Sequence, residues 1–398
     1  MLEKCSNMNN DRQLIVNILA IYLSVFFSST GFGMMLVLIS VKMDQFVVNE
    51  ALISLSAATQ IIAGILFAKY LPILAKKYGS IKIAQIASLI SALVVLLTYQ
   101  YFGFFFWLFI MFVFGVSSFA FFVIRQSITL DIAPKNHKAL IVSVGGMLIA
   151  LGNACGPIIL GFIGPEGLPY FVASGFYLLS MAPMMWFKNY NYAFSSSKKI
   201  GLLRYIKISP KIMFGGFTFN YVYSAAVTFL IIYGLRSGLE VNQASLLLSV
   251  LLLGTVFSIP MGYVTDKINR RFLILLSTSV CLTCSIFLLF TSKPALMAIL
   301  LFLLFGFMIG IKLPALVLIN EKYKPTQRLA VNSAFNKICL IGSIFGIFVT
   351  GIIMDLFNEK GLWISIIIML SLYFALNLKG SWKRLIGLSP TGNILLKR

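Results

Sequence analysis

The sequence predicts an all-α membrane protein, with twelve transmembrane helices arranged as two pseudo-symmetric six-helix bundles. The first observation is composition. Of 398 residues, 60% are hydrophobic and 11% charged, against roughly 25% charged in an ordinary soluble domain, and the mean hydropathy is +0.97. The second is that apolar segments, most of them longer than about 18 residues, recur to the end of the chain. The third is a repeat: features of the first half return in the second at one constant offset of 190 residues, as from Pro72 to Gly262.

The first apolar run is too long for the core of a cleaved signal and lacks a clear cleavage site, so it reads as the first span. The twelve spans fall at about 13–41, 50–72, 81–99, 102–127, 139–161, 170–187, 211–235, 242–262, 272–291, 294–319, 329–351 and 361–378. Between the sixth and seventh lies the longest polar connection, with SSSKK in it. It divides the chain into an N-terminal six-helix bundle (1–187), a cytoplasmic linker (188–210) and a C-terminal six-helix bundle with its tail (211–398). Inside lipid every backbone amide and carbonyl needs an internal partner, so each span is helical.

Lysine and arginine set the sidedness. With both termini cytoplasmic, the external loops hold only Lys42, Arg236, Lys293 and Lys360. Lys69, Arg125, Lys312 and Lys337 fall inside spans, and the other basic residues lie on the cytoplasmic side. The expected location is the bacterial inner (cytoplasmic) membrane. A net charge of +21 would suggest nucleic acid in a soluble chain. Here it is confined to short connections between spans, so no nucleic-acid partner is expected.

The connection after the eighth span, GYVTDKINRR at 262–271, reads as a short basic turn. Gly262 ends a helix and permits close packing. Asp266 can accept hydrogen bonds from helix N-terminal amides or pair with a basic residue. Lys267 adds a further basic residue to the turn, and Arg270 and Arg271 hold it on the anionic-lipid side. The first copy, PILAKKYGSI at 72–81, keeps basic residues at Lys76 and Lys77, but Pro72 replaces the glycine and Lys76 the acid. A plain topogenic turn and a gating contact are the alternatives, and the repeat favours gating. The offset also carries Asp131 to Glu321, Gly152 to Gly342, Gly156 to Gly346 and Gly161 to Gly351. In GNACGPIILG, Gly152 and Gly156 let a neighbouring helix approach, and Pro157 bends the fifth span and frees a carbonyl. Two parallel repeats imply an axis along the membrane normal.

All four charges inside spans are basic. Lys312 lies nine residues before Glu321 and Lys337 nine after Arg328, about 14 Å from a polar boundary in a core roughly 30 Å thick. An ammonium at that depth needs a cavity or a partner. Lys69 and Arg125 lie nearer the cytoplasmic edge, where snorkelling competes with a cavity role. The offset matches Lys312 to Phe122, one turn before Arg125, so Arg125 and Lys312 are expected to face one cavity from spans four and ten. Asn17, Tyr22, Ser28, Gln60, Asn220, Tyr223, Ser224, Asn332 and Asn336 can add neutral hydrogen bonds; the plainer alternative for each is helix–helix contact. A basic cavity without membrane acids favours an anionic or zwitterionic solute over an organic cation. The aromatic cluster 104–107 is expected to meet lipid.

Chemistry of other kinds is not indicated. Cys281 and Cys284 have a CxxC spacing but sit in an apolar run without a second ligand pair, so they read as buried small side chains. His137, the single histidine, lies in a loop. No nucleophile, metal cluster or phosphate loop appears, so no enzyme activity, metal or organic cofactor is expected.

The spans, the GYVTDKINRR turn and the GPIILG segment together resemble the major facilitator superfamily over about residues 11–378. The runs at 229–271 and PEGLPYFVAS at 165–174 are most similar to its YcaD-like branch. The resemblance implies alternating access by two rocking bundles around a central site lined by spans one, four, seven and ten. Asp266, Lys267, Arg270 and Arg271 would take the role of the superfamily's inter-span turn. Gly152, Gly156, Pro157 and Gly161 would form the fifth-span motif of many exporters. Four departures stand out: Lys76 and Pro72 replace the acid and glycine of the first turn, no arginine occupies the usual early position in span four, Arg125 stands where YcaD-like chains carry an acid, and the tryptophan that follows there is missing.

The expected function is secondary active transport of a small organic solute, with export of an anionic or amphiphilic compound as the leading case. Import of a small metabolite (an organic acid or nucleoside-like solute) and multidrug efflux are the alternatives. A proton or sodium gradient is the expected coupling partner. The solute and membrane lipids are the expected contacts of a monomer.

Overall fold

A computed structural model describes residues 2–47, 49–132, 134, 138–186, 209–322 and 325–385. Every regular element among them is helical. The first set comprises α1 (Leu2–Phe46), α2 (Glu50–Phe67), α3 (Leu71–Tyr78), α4 (Ser80–Leu97), α5 (Phe104–Ile132), α6 (Lys138–Ile163) and α7 (Leu168–Met181), which runs on as a 3-10 turn to Trp186. The second comprises α8 (Pro210–Arg236), α9 (Val241–Leu253), α10 (Ser258–Lys267), α11 (Arg270–Phe290), α12 (Pro294–Lys322), α13 (Pro325–Phe357) and α14 (Gly361–Leu385).

Ten helical stretches among the described residues are long and apolar enough to cross a membrane, and they make the chain an all-α membrane-spanning bundle. Two places separate that number from the twelve expected spans. One stretch, Val331–Leu378, contains both α13 and α14, divided by the 3-10 turn Asn358–Lys360. The predicted eighth span appears as the shorter apolar run Val241–Phe257, followed by α10. Pro260 stands in the first turn of α10 and cannot donate to the turn before it, and the backbone tightens there into the 3-10 segment Gly254–Phe257. Large apolar side chains such as Phe105 (87% exposed), Phe162 (85%) and Phe290 (79%) cover the outside, as a lipid-facing surface requires.

The 190-residue register extends to helix ends. Helix α5 runs from 104 to 132 and α12 from 294 to 322. Helices α4 and α11 begin at Ser80 and Arg270, and α1 and α8 end at Phe46 and Arg236. The two inter-span turns are shorter than the sequence suggests. Pro72, Lys76 and Lys77 are helical, in α3, where proline is tolerated in the first turn. Its end is made at Gly79, whose φ of 89° suits a residue without Cβ. Likewise Gly262, Asp266 and Lys267 belong to α10, and only Ile268 and Asn269 separate it from α11. Asn269 caps α11 by accepting from the Arg271 amide at 3.0 Å.

Packing repeats in the same register. Helix α1 lies along α6, and α8 along α13. A Cβ at Gly152 would meet the Phe26 carbonyl and Ser29 at 2.7 Å, and one at Gly156 would run into Thr30 and Met34 backbone. At the equivalent places Gly342 abuts the Phe217 backbone and Gly346 the Tyr221 backbone. The third glycine of each motif faces the other set: Gly161 lies against Asn242 of α9, Gly351 against Glu50 and Ser54 of α2. Gly156→Leu should therefore lower the thermal midpoint by a few degrees, because overpacking costs about 1–3 kcal/mol. Gly146→Leu, at a position with no neighbour within 4 Å, is the control. Equal midpoints would show that α1 and α6 separate without cost.

Three local expectations change. Lys42, expected in a loop, stays in the last turns of α1, its ammonium 5.5–5.7 Å from the ring centroids of Phe46, Tyr99 and Tyr170; the aromatic faces supply the attraction a loop lysine would take from water. The 104–107 cluster is split by helical periodicity. Phe105 faces outward, but Trp107 is buried and its Nε1 donates to Ser56 Oγ at 2.8 Å. Cys281 and Cys284 are buried free thiols, as the sequence suggests. His137 lies outside the described residues.

Candidate functional site

A cavity of about 390 Å³ lies among α1, α2, α5, α6 and α7 and reaches Tyr223 of α8 and Leu340 of α13. Its walls are mostly apolar: Phe32, Ile61, Phe119 and Phe122 among others. Into this setting α5 brings Arg125, a single cation in the 26-residue apolar stretch Phe104–Thr129. The guanidinium is buried (5% exposed). Its Nη1 donates to the Ser24 carbonyl at 3.0 Å and to Ser28 Oγ at 2.5 Å, and Nε to the Phe121 carbonyl at 3.4 Å. The Phe121 ring lies 4.2 Å from Cζ. No ion pair engages Arg125 among the described residues, and its Nη2 takes no hydrogen bond among them. The buried hydroxyl of Tyr177, on the same wall, also lacks a partner among the described residues. Amides reach the cavity from Gln60 and Asn153.

A second cavity of about 200 Å³ adjoins it, sharing Phe32, Gln60, Ile61 and Tyr223, and adds Ser40, Asn220, Ser224 and Thr228. The two lie between the first and second sets of helices. Of the residues singled out from the sequence, Arg125, Ser28, Gln60, Asn220, Tyr223 and Ser224 are brought to this region. Asn220 also donates to the Gly216 carbonyl of its own helix at 3.1 Å.

The others sit elsewhere. Lys312 does not line either cavity; its Nζ lies 4.6 Å from the Phe219 ring centroid, and Phe219 stacks on Tyr223 at 6.1 Å. It is therefore one aromatic layer behind the cavity wall, not on a common surface with Arg125. Lys337 and Asn336 are exposed on α13. Tyr22 joins α1 to α6 by donating to the Ile141 carbonyl at 2.9 Å. Asn17 accepts from Gln13 at 3.2 Å. Lys76 and Lys77 are exposed on α3, and Pro157 lies within α6.

At the 262–271 connection, Arg270 pairs with Glu321 of α12, within the second set. Lys267 lies over Tyr263 at 4.2 Å. The side chain of Asp266 is outside the described residues.

Polar contacts between the two sets cluster at the opposite end. Arg236, at the end of α8, pairs with Asp44 of α1 at 3.1 Å and with Glu50 of α2. Asp355 of α13 accepts from the backbone amides of Glu50 at 2.8 Å and Ala51 at 3.2 Å, at the N-terminus of α2 where a carboxylate is favoured. Ser54 donates to the Ile347 carbonyl at 3.1 Å and Ser40 to the Thr228 carbonyl at 3.3 Å. Sequence reasoning missed this group. The available signal was Arg236 itself, a basic residue against the sidedness bias.

The comparisons agree with this architecture. A bacterial homolog of the human lysosomal transporter Spinster, solved in an inward-facing and occupied conformation, superposes with a TM-score of 0.74 at 15% identity, covering 96% of this chain and 99% of that one. A mutant form of the nucleoside transporter NupG gives 0.78 at 13% identity, over 91% and 99%. A POT family transporter in complex with a thioalcohol-conjugated peptide gives 0.73 at 12% identity, over 94% and 96%. No curated protein matches the sequence significantly. The sequence model of the Major Facilitator Superfamily matches residues 21–346, and the chain belongs to that superfamily of non-enzymatic membrane transporters.

Proposed function

We propose that this chain is a secondary active transporter whose central site takes an anionic, partly apolar organic solute, and that it exports that solute. The observation that carries the reading is Arg125: a buried guanidinium on the wall of an apolar cavity, with one nitrogen unengaged and no carboxylate to neutralise it among the described residues. A guanidinium offers five donors in a planar fork suited to a carboxylate or phosphate. The apolar walls suit the remainder of such a solute.

In this reading the chain forms two six-helix bundles of twelve spans, divided at 188–210. The helix ends that repeat at 190 residues support it, as do α13 and α14 being separate helices. The lysine and arginine bias puts both termini and the 262–271 connection in the cytoplasm of a bacterial cell. The Arg236 cluster is then external, and the cavity is closed on that side. The chain works as a monomer coupled to a proton or sodium gradient. The inter-span residues Lys76, Lys77, Gly262, Asp266, Lys267, Arg270 and Arg271 form the opposite gate, and Gly152, Gly156 and Pro157 shape the fifth span. Lys312 and Lys337 add positive potential, while Asn17, Tyr22 and Asn336 border the access route.

Gln60, Asn153 and Asn220 support a second reading, a neutral nucleoside-like solute held by amide hydrogen bonds. Flux in inverted membrane vesicles, across anionic, cationic and neutral solutes with imposed proton or sodium gradients, separates the two. Movement of organic anions is the expected result. Flux of cations alone would overturn the Arg125 reading, and flux of nucleosides alone would favour the second.

A further inference from the structure

A third cavity, of about 480 Å³, lies away from the solute cavity, among the ends of α8, α11, α12 and α14 nearest the 262–271 connection. Lys211 of α8, Arg271 of α11 and Lys322 of α12 converge on it with the Asn377 amide of α14, and no Asp or Glu is among its lining residues. Ile274 and Leu318 form part of an apolar floor beneath them. We propose that this cavity binds a phosphate group, and that the headgroup of an anionic membrane lipid supplies it.

Three features converge on an anion. The first is charge: the cations of Lys211 and Arg271, from two helices, face one cavity, and their mutual repulsion is relieved by a ligand of opposite sign. No ion pair engages Lys211 or Arg271 among the described residues.

The second is backbone. Lys211 and Arg271 are each the second residue of a long helix, of 27 and 21 residues. Two positive helix ends therefore lie beside the cavity, and at the α11 end Asn269 already accepts from the Arg271 amide. The α8 end has no side-chain cap bond.

The third is the mouth. Phe272 and Leu276 on α11, and Leu372 and Leu376 on α14, are exposed apolar side chains beside the lining residues. The basic cluster thus borders a lipid-facing surface, and its apolar floor accepts the glycerol and first methylenes of a lipid better than a bare ion. Basic pockets between transmembrane helices hold lipid headgroups by this combination.

The test uses the full chain purified in a neutral detergent, with thermal midpoint and native mass spectrometry as readouts. The probes are phosphatidylglycerol, phosphatidylcholine and inorganic phosphate. Phosphatidylglycerol should bind and raise the midpoint; phosphatidylcholine should not. Lys211→Gln with Arg271→Gln should weaken phosphatidylglycerol binding at least ten-fold, and Arg271→Lys, which keeps the charge, should recover most of it. If the double variant is misfolded, Lys211→Gln and Arg271→Gln singly carry the comparison. Saturation by millimolar inorganic phosphate, with no added effect of lipid, would keep the phosphate site but overturn its assignment to lipid. Equal stabilisation of wild type and variants by phosphatidylglycerol, or none in either, would overturn the site itself.

Discussion

Replacing Arg125 with methionine should lower transport of anionic solutes at least 100-fold, while the protein still inserts and folds. The expected loss follows from the bonds removed. Hydrogen bonds to a charged group are worth about 1.5–3 kcal/mol each, so two from one guanidinium to a solute anion supply the two decades. Stability should move little or rise. The buried charge has no acid partner among the described residues, and an apolar side chain of similar length removes a desolvation cost. A methionine variant with an unchanged thermal midpoint and no transport would separate a solute-binding role from a structural one. Unimpaired anion flux in that variant would remove the central cavity from consideration. Lys312→Ala should cost less than ten-fold, because Lys312 lies behind Phe219 and Tyr223 and does not line the cavity.

The second large effect should come from Arg236→Gln. It removes the ion pairs that tie α8 to α1 and α2, and leaves Glu50, 5% exposed, without a cation. Arg236 is about a quarter exposed (24%), so solvent screening reduces the worth of these pairs, to about 1.5–3 kcal/mol together. That corresponds to a population shift of roughly ten- to 100-fold toward a state open at this end. In a cysteine-free background, Ser40→Cys should then react at least ten-fold faster with an impermeant thiol reagent. Ser40 is chosen because it meets the Thr228 carbonyl between the two sets. An unchanged reaction rate would mean that packing, not the ion pairs, holds the ends together.

Axial position was legible in the sequence and rotation about the axis was not. Hydropathy and the 190-residue offset located helix ends closely, as at α5 and α12, because polar boundaries and turn residues recur along the chain. Arg125 stood out as one cation in a long apolar run. Lys312 and Lys337 were placed in depth by counting residues, yet one lies behind an aromatic layer and the other is exposed on α13. A helix that is apolar all round carries no stripe to tell which side faces a cavity. Tyr177 and Asn153 were missed for the same reason: an unpartnered hydroxyl is a property of the packed neighbourhood. The Arg236 cluster joins residues up to 305 positions apart, and no local pattern encodes such a meeting.

The third glycines of the two repeated motifs are matched in sequence but not in fit. At Gly351 a Cβ would strike the Ser54 hydroxyl and lie 2.9 Å from the Glu50 carbonyl, whereas at Gly161 it would stand 3.6 Å from Asn242 in ordinary contact. One seam is closed down to bare backbone and pinned by Asp355, and the other retains room for a methyl group. The α2–α13 seam therefore rejects any added side chain, while the α6–α9 seam accepts one the size of alanine.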